Sequence, residues 1–430
     1  MVDWPTLTLR EAGVRLIDCV HKTPAAQETG FPYVGIPQMK EGWIDFESAR
    51  KISCNDFVEW TKKAKPQAHD VILSRRTNPG VTAVDKSGTD FALGQNLVLL
   101  RADGERVHPP FLKWLVRTPA WWGQIDKFIN VGAVFNSLKC ADVPSFELQI
   151  PPLDAQQEMC LLLDAIDDKI ELNRRMNETL EAMARAIFKD WFVDFGPTRA
   201  KAEGRPPYLA PEIWSLFPDT LDDEDKPVGW QAGSIGDLAE TNRQSWTARN
   251  HPPVVEYVDL SNAKWGNIDA ITTLAWQEAP SRARRIAKAG DTIVGTTRPG
   301  NGSFAYISQD GLTVSTGFSV LSPREAIYRD VVHIAATRPD NIERLANLAD
   351  GHGGAYPAVK PNEVSDTELV LPGDAILTAF AEVVLPFRSK IESAKAESRI
   401  LALTRDLLLP KLMSGEIRLA EAEKAVEAVA

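Results

Sequence analysis

Between Met159 and Trp191 the positions Met159, Leu163, Ile166, Ile170, Asn173, Asn177, Leu180, Ala184, Ile187 and Trp191 follow one another at steps of four and three. This seven-residue repeat keeps one face of a helix turned toward a partner helix. Pro151 and Pro152 can precede a helix but not sit inside it. Asp154, with Gln157 three residues later, reads as an N-cap in a capping box, and Gly196-Pro197 reads as a stop. The pattern predicts one helix from Asp154 to Phe195, roughly 60 Å long at about 1.5 Å per residue. A lone helix of that length cannot cover its own stripe, so it requires a partner.

The same chain supplies one. Adding 221 to each seam position gives Phe380, Val384, Phe387, Ile391, Ala394, Ser398, Leu401, Arg405, Leu408 and Leu412, of which eight are apolar. Lys169-Ile170-Glu171 also corresponds to Lys390-Ile391-Glu392. The polar interruptions Asn173 and Asn177 fall on the small residues Ala394 and Ser398, which would let the middles of two antiparallel helices cross closely.

The repeat extends beyond the helices. Phe31–Ile36 matches Val255–Leu260, and Gly42-Trp43-Ile44-Asp45 matches Gly266-Asn267-Ile268-Asp269. His69–Gly80 matches Gly290–Asn301, each a turn, an apolar strand and a polar loop holding Pro-Gly. Residues 132–139 match 353–360. Inside each copy the strand signals are short and punctuated by Gly and Pro, with helical patches at Phe111–Trp122 and Asn341–Ala349. The expected fold is therefore α+β. Two similar mixed α/β globules, each with a curved or barrel-like sheet, are joined by two long antiparallel coiled-coil helices about a pseudo-twofold axis. The expected boundaries are 1–150 for the first globule, 151–196 for its helix, 197–229 for a linker, 230–370 for the second globule, 371–418 for the second helix and 419–430 for a tail. The linker, rich in proline, glycine and acid, reads as a surface connection.

Composition changes this picture little. At 430 residues, 44% hydrophobic and 25% charged, the chain reads as globular. No apolar run approaches the ~20 residues of a membrane span, and the first residues do not read as a secretion signal. The four cysteines form no CxxC pair, so neither a disulfide framework nor structural zinc is expected, and a reducing cytoplasm is the natural compartment. The net charge of −11 argues against indiscriminate DNA binding, but the long-helix segments and the linker carry −9 of it. The two globules are close to neutral, which leaves room for a local basic face on each.

Catalytic motifs are absent. There is no Walker loop, GxSxG or HExxH. His108-Pro109-Pro110-Phe111 and His251-Pro252-Pro253-Val254 carry histidine where an amino-methyltransferase loop needs Asn or Asp. Asp219, Glu224, Asp225 and Lys226 mimic a nuclease carboxylate set but lie in the acidic linker.

The positive signal is in the polar loops. Arg75, Arg76, Thr77 and Asn78 follow one strand, and Thr297, Arg298 and Asn301 follow its repeat. Arginine reads guanine edges, asparagine reads adenine and threonine can meet either, so these are candidate base contacts. Lys62, Lys63, Lys65, Lys139, Arg282, Arg284, Arg285, Lys288 and Lys360 are candidate phosphate contacts.

The run Ile187–Pro197, with the sequence IFKDWFVDFGP, resembles the central conserved region of type I restriction–modification specificity subunits. Leu408–Arg418, Leu216-Phe217-Pro218-Asp219 and Pro227-Val228-Gly229-Trp230 are similar to the same family. The resemblance covers the chain in order. It implies a non-catalytic subunit that binds double-stranded DNA, each globule a target recognition domain reading one half of a split, asymmetric site. It implies helices that set the spacer and dock two modification subunits bringing S-adenosylmethionine, with restriction subunits, if present, adding ATP and Mg. The recognition domains of the family vary freely, so contact residues are not carried over. Arg405 departs from the pattern, standing where Ala184 stands on the first helix. The competing class is a coiled-coil scaffold that binds no DNA.

Overall fold

The computed structural model describes residues 4–40, 42–131, 136–353 and 356–427. Residues 132–135 and 354–355, which belong to one of the matched pairs of segments, lie outside the described residues. The chain divides into two compact units, one ending at Asn173 and resuming from Ala396, the other spanning Arg174–Lys395.

The first unit contains β1 (Thr6–Thr8), β2 (Val14–Asp18), β3 (Phe31–Val34), β4 (Arg50–Ile52), β5 (Val71–Ser74), β6 (Thr82–Val84), β7 (Ala92–Leu93), β8 (Leu97–Ala102) and β9 (Glu147–Gln149). They form a four-stranded sheet β2-β8-β5-β6, a three-stranded sheet β4-β3-β7 and the pair β1-β9. Neighbours are antiparallel except β3 and β7.

The second unit contains β10 (Gln231–Ser234), β11 (Ala239–Thr241), β12 (Val254–Val258), β13 (Ala263–Lys264), β14 (Asn267–Ile268), β15 (Thr272–Ala275), β16 (Ala283–Ala287), β17 (Thr292–Gly295), β18 (Phe304–Tyr306), β19 (Leu312–Ser315), β20 (Phe318–Pro323) and β21 (Glu368–Leu371). Its sheets β11-β20-β17-β18 and β15-β12-β19 and its pair β10-β21 repeat the first unit's sheets strand for strand, including the parallel pair β12-β19. Strand β16, added beyond β19, is new to this copy. In the first unit the helix Cys54–Thr61 packs on β7, the counterpart of β19.

The strands of each globule thus divide between two larger sheets and short two-stranded pairs, where the sequence led to the expectation of one curved or barrel-like sheet. The helical patches resolve into Leu112–Leu115 with Pro119–Phe128, and Pro339–Gly351.

The long helices are Leu153–Phe192 and Asp374–Met413, 40 residues each. The first starts one residue before Asp154, because Pro152 O accepts from Gln156 N and Gln156 Nε2 donates to Pro151 O. It ends at Phe192, before the expected stop. Phe195 turns the chain through a left-handed conformation at φ 53°, and Gly196-Pro197 opens the next helix, Gly196–Ala202, with proline in its first turn.

In the first unit, Met159 and Leu163 share a core with Leu408, Leu409, Leu412 and Met413. Asp167 pairs with Arg405, and buried Asn173 donates to Glu397 at 2.7 Å and to Ser398 at 3.2 Å. Rising numbers on one helix meet falling numbers on the other, so the two run antiparallel within this unit. The second unit gives the same order: Phe188, Trp191 and Phe192 close around Phe380, with ring centroids 5.0–6.1 Å apart. Such aromatic pairs add about 0.5–1.5 kcal/mol each beyond burial. Of the remaining seam positions, Ile166, Ile391, Ala394 and Leu401 are buried, and Ile170, Asn177, Leu180 and Phe387 are half-buried.

The helix faces also hold the globules. In the first unit Lys113 and the Trp114 indole reach Asp164, Arg117 reaches Asp167 and Lys86 reaches Asp168. In the second, Arg185 donates to Thr337 Oγ1, Arg388 pairs with Asp330, and Lys395 Nζ donates to the Gly266 carbonyl. The acidic balance of the first helix therefore serves as the seat of its globule.

Residues 197–229, expected as a surface connection, are partly core. Phe217 is buried and meets Trp191 edge-on at 5.1 Å, and Trp230 is buried against Phe192 and Phe195. The linker's polar composition hid one aromatic anchor, Phe217, and Trp230 just past its end is a second. The expected tail forms a helix, Leu419–Glu427, whose Ala422 is buried in the first unit's core.

Candidate nucleic-acid interface

In each copy the central strand of the four-stranded sheet is wholly buried and delivers a polar loop at its end. After β5, Thr77 takes a left-handed conformation at φ 66°, which turns the backbone sharply and leaves Arg76, Thr77 and Asn78 exposed. Gly80, at φ 95°, packs so closely that a Cβ there would lie 2.9 Å from Ile125 and Trp122 side-chain atoms. The Trp121 indole donates to the Gly80 carbonyl at 3.1 Å. Arg75 is half-buried and tied down: its N–H donates to Asn96 O, and its carbonyl accepts from Leu138 N. Arg76 bridges to Ser137, so the strand end and the segment carrying exposed Lys139 form one edge.

After β17 the same construction recurs. Arg298 is left-handed at φ 48°, Thr297 bridges to Ala358, and Thr296 O accepts from Val359 N. This brings Thr297, Arg298 and Asn301 beside Tyr356 and Lys360. The bridge partners set the correspondence: Arg76 is equivalent to Thr297, and Thr77 to Arg298. The Arg298 guanidinium lies 5.5 Å from the centre of the Tyr356 ring, which is 75% exposed. Behind them Lys264 Nζ donates to Asn301 O at 3.4 Å and to Ser303 Oγ at 3.3 Å. Trp265, 61% exposed, presses on Gly302.

The other predicted bases lie elsewhere. Lys62, Lys63 and Lys65 follow the helix Cys54–Thr61; Lys62 pairs with Glu59 and Lys65 with Asp90 at 3.0 Å. Arg284 and Arg285 lie on edge strand β16, with Arg282 just before it and Lys288 just after. Arg282 binds Asp259 at 2.7 Å; burial opposes the Asp259 charge, but hydrogen bonds from Tyr257 and Arg282 bring its pKa down to about 2. Arg284 stacks over Trp276 at 4.4 Å, and Arg285 is half-buried. The Lys288 N–H donates to Asp291, closing the same turn that Gln67 and Asp70 close before β5.

The sequence reading missed Lys264, Trp265 and Tyr356, which surround the second loop. An exposed Tyr before Pro357 beside glycines, and a Lys-Trp-Gly turn, are the signals that could have found them. An aromatic face next to cations suits bases or sugars as well as phosphate.

Among the described residues, Asp18, Cys19 and His21 are the grouping with metal-ligand chemistry. His21 Nδ1 faces Cys19 Sγ at 3.7 Å while Nε2 faces Asp18 Oδ2 at 3.1 Å. One ligand atom from each of the three lies within 4.8 Å of the others. Burial pushes the Cys19 thiol up to about 11 and that of Cys160 to about 12, far from a reactive thiolate. The linker acids are consumed by cations: Asp219 by Lys201, Asp225 by Arg199, and Asp222 and Glu224 by Lys226.

Residues 17–182 match the family described as the type I restriction modification DNA specificity domain. The HindI specificity subunit of Haemophilus influenzae is 23% identical over 411 residues, covering 81% of this chain and 86% of the relative. The MjaIX specificity subunit of Methanocaldococcus jannaschii is 24% identical, covering 82% and 78%. The chain is thus similar to type I restriction–modification specificity subunits along most of its length, and its residues 17–182 match their DNA specificity domain. The crystal structure of a type I S subunit from M. genitalium shares its fold, with a TM-score of 0.50 at 13% identity over 96% of each chain. The specificity-domain match takes in the end of β2, β3 through β9, both segments of the first loop edge and most of the first long helix. The second edge belongs to the strand-for-strand repeat of that domain. Among the described residues, no helix of this chain is long and apolar enough to cross a membrane.

Proposed function

We infer that the chain is the non-catalytic, sequence-reading subunit of a type I restriction–modification complex. Each globule reads one half of a split, asymmetric DNA site. The observation that carries this reading is the repeated loop edge: one backbone construction, used twice, displays Arg76-Thr77-Asn78 with Lys139 in one copy and Thr297-Arg298 and Asn301 with Tyr356 and Lys360 in the other. Equal scaffolds with unequal side chains suit two half-sites of unequal sequence. Arg and Asn at the loop tips supply base-edge donors and acceptors, and the flanking lysines supply phosphate contacts.

The long helices act as spacer and as docking surface for two modification subunits, which bring S-adenosylmethionine and transfer the methyl group. Restriction subunits, where present, add ATP and Mg chemistry. Methylome sequencing with and without this gene tests the reading. Loss of methylation at one bipartite motif is expected; an unchanged methylome in a strain that keeps its modification subunit overturns it.

A further inference from the structure

Strands β13 and β14 form a hairpin in which Lys264 pairs with Asn267, so Trp265 and Gly266 alone make the turn. Both are left-handed, at φ 47° and 87°. Asn-Gly makes such a two-residue turn with least strain, because its first position also needs a positive φ. A bulky aromatic residue there is held against its backbone preference. Trp265 is also the most exposed tryptophan among the described residues.

Neither the turn nor the core accounts for this residue. An asparagine would make the same turn more easily. The indole rests on Gly302 and meets the Phe304 ring edge-on at 5.8 Å, yet more than half of the residue stays in water. That apolar surface gives up the stabilisation that burial would bring.

The turn is nevertheless firmly mounted. Trp265 N–H donates to Gly302 O at 2.7 Å and Gly266 N–H to Phe304 O at 3.0 Å. From the second long helix, Lys395 Nζ donates to Gly266 O at 3.1 Å. Gly302 follows directly on Thr297–Asn301, and Lys264 Nζ reaches Asn301 O. A fixed apolar ring thus stands at the end of the candidate base-reading loop, beside its cations. In the first unit Gly42 bridges to Ala83 as Gly266 bridges to Ala305. There the residue before the glycine is Glu41, and Trp43 takes the place of Asn267, so an aromatic at the first turn position belongs to the second copy.

We propose that Trp265 is a base-contacting residue of the second globule, its exposed ring laid against a base of the half-site met by Thr297–Asn301. This rests on the DNA-reading function inferred above. Apolar contact at a base edge, as with the thymine methyl, carries sequence information that phosphate-binding cations do not. Contact would also recover the burial that the free protein forgoes, and a ring already held in place loses little freedom on binding.

Two measurements on the chain assembled with its modification subunits test this. Duplexes carrying 5-iodopyrimidines in turn through both half-sites are irradiated, and crosslinked peptides are identified by mass spectrometry. A crosslink on Trp265 from one half-site only is expected. In the second measurement, Trp265→Asn keeps the turn and removes the ring. Its unfolding temperature should equal or exceed that of the wild type, while its binding to the cognate duplex falls about tenfold. Trp265→Phe, which keeps a ring, should bind more tightly than Trp265→Asn. No Trp265 crosslink at any position, or Trp265→Asn binding as tightly as the wild type, overturns the proposal. Weaker binding with a lowered unfolding temperature would make Trp265 a support of the loop and overturns it as well. In each of these failures the wild type still prefers its cognate duplex; a wild type that binds every duplex alike sinks the DNA-reading function itself, and this proposal with it.

Discussion

Arg405 Nη1 donates to Asp167 Oδ1 at 2.7 Å, joining the two long helices of the first unit at a point where both side chains are less than a fifth exposed. Arg117 of the globule reaches the other carboxylate oxygen at 3.2 Å. One acid on the first helix thus holds the second helix and the globule together.

Replacing Arg405 with alanine should therefore destabilise the first unit by about 1–3 kcal/mol, less than a fully stranded buried charge because Arg117 remains. Urea denaturation against the wild type measures it. The effect should depend on pH. Burial works to raise the Asp167 pKa, but Arg117 and Arg405 outweigh it and hold the carboxyl below its ordinary range. A group whose pKa is depressed on folding contributes its stability above the unfolded value, about 4, and loses it as pH falls through the folded value. The difference between wild type and Arg405→Ala should be full at neutral pH and shrink below about pH 4; a gap unchanged into acid would refute the assignment.

At the loop edges, Arg76→Ala and Arg298→Ala should each cost roughly 1–3 kcal/mol on one half-site only, if each arginine contacts a base. The assay is binding of the assembled methyltransferase to duplexes with single base changes in each half. Uniform weakening of every duplex would make both arginines positioning residues. Because Arg298 is equivalent to Thr77 and not to Arg76, the two should report bases at different offsets within their half-sites.

Lys139→Ala and Lys360→Ala should weaken all sequences alike and lower the salt slope of binding by about one unit each. A sequence-selective loss in either would place that lysine on a base.

Gly302 sits at φ 68°, with an added Cβ only 2.4 Å from the Trp265 ring. Gly302→Ala should displace Trp265 and distort the Thr297–Asn301 loop. Tryptophan fluorescence should shift and recognition of the second half-site should fall, while the first half-site is read normally. Equal loss at both halves would point to general unfolding instead.

Inserting four residues after Asn177 adds about 6 Å of helix. If the helices set the spacing, the modified motif should keep its half-site bases and change its spacer, read by methylome sequencing. Full activity at an unchanged spacer would count against a ruler.

The sequence by itself determined the repeat, the two long helices and the loops at the strand ends. These depend on local periodicity and on turn residues, which a chain displays without its partners: the step of four and three from Met159 to Trp191, and Pro-Gly after an apolar strand. It also pointed to Arg76, Asn78, Arg298 and Asn301 at the loops, but not to Lys264, Trp265 and Tyr356 around the second. The tertiary structure decided which of those residues meet. That Thr77 and Arg298 share one left-handed position, that Tyr356 stands under Arg298, and that Arg282 is already held by Asp259 all follow from contacts between segments far apart in the chain. The same holds for Phe217, buried inside a stretch whose composition reads as surface, and for Trp230 just past its end. Hydrophobic burial and ion pairing act through space, and an acidic, proline-rich segment is drawn into a core when Phe217 within it and Trp230 just past its end find Trp191 and Phe192.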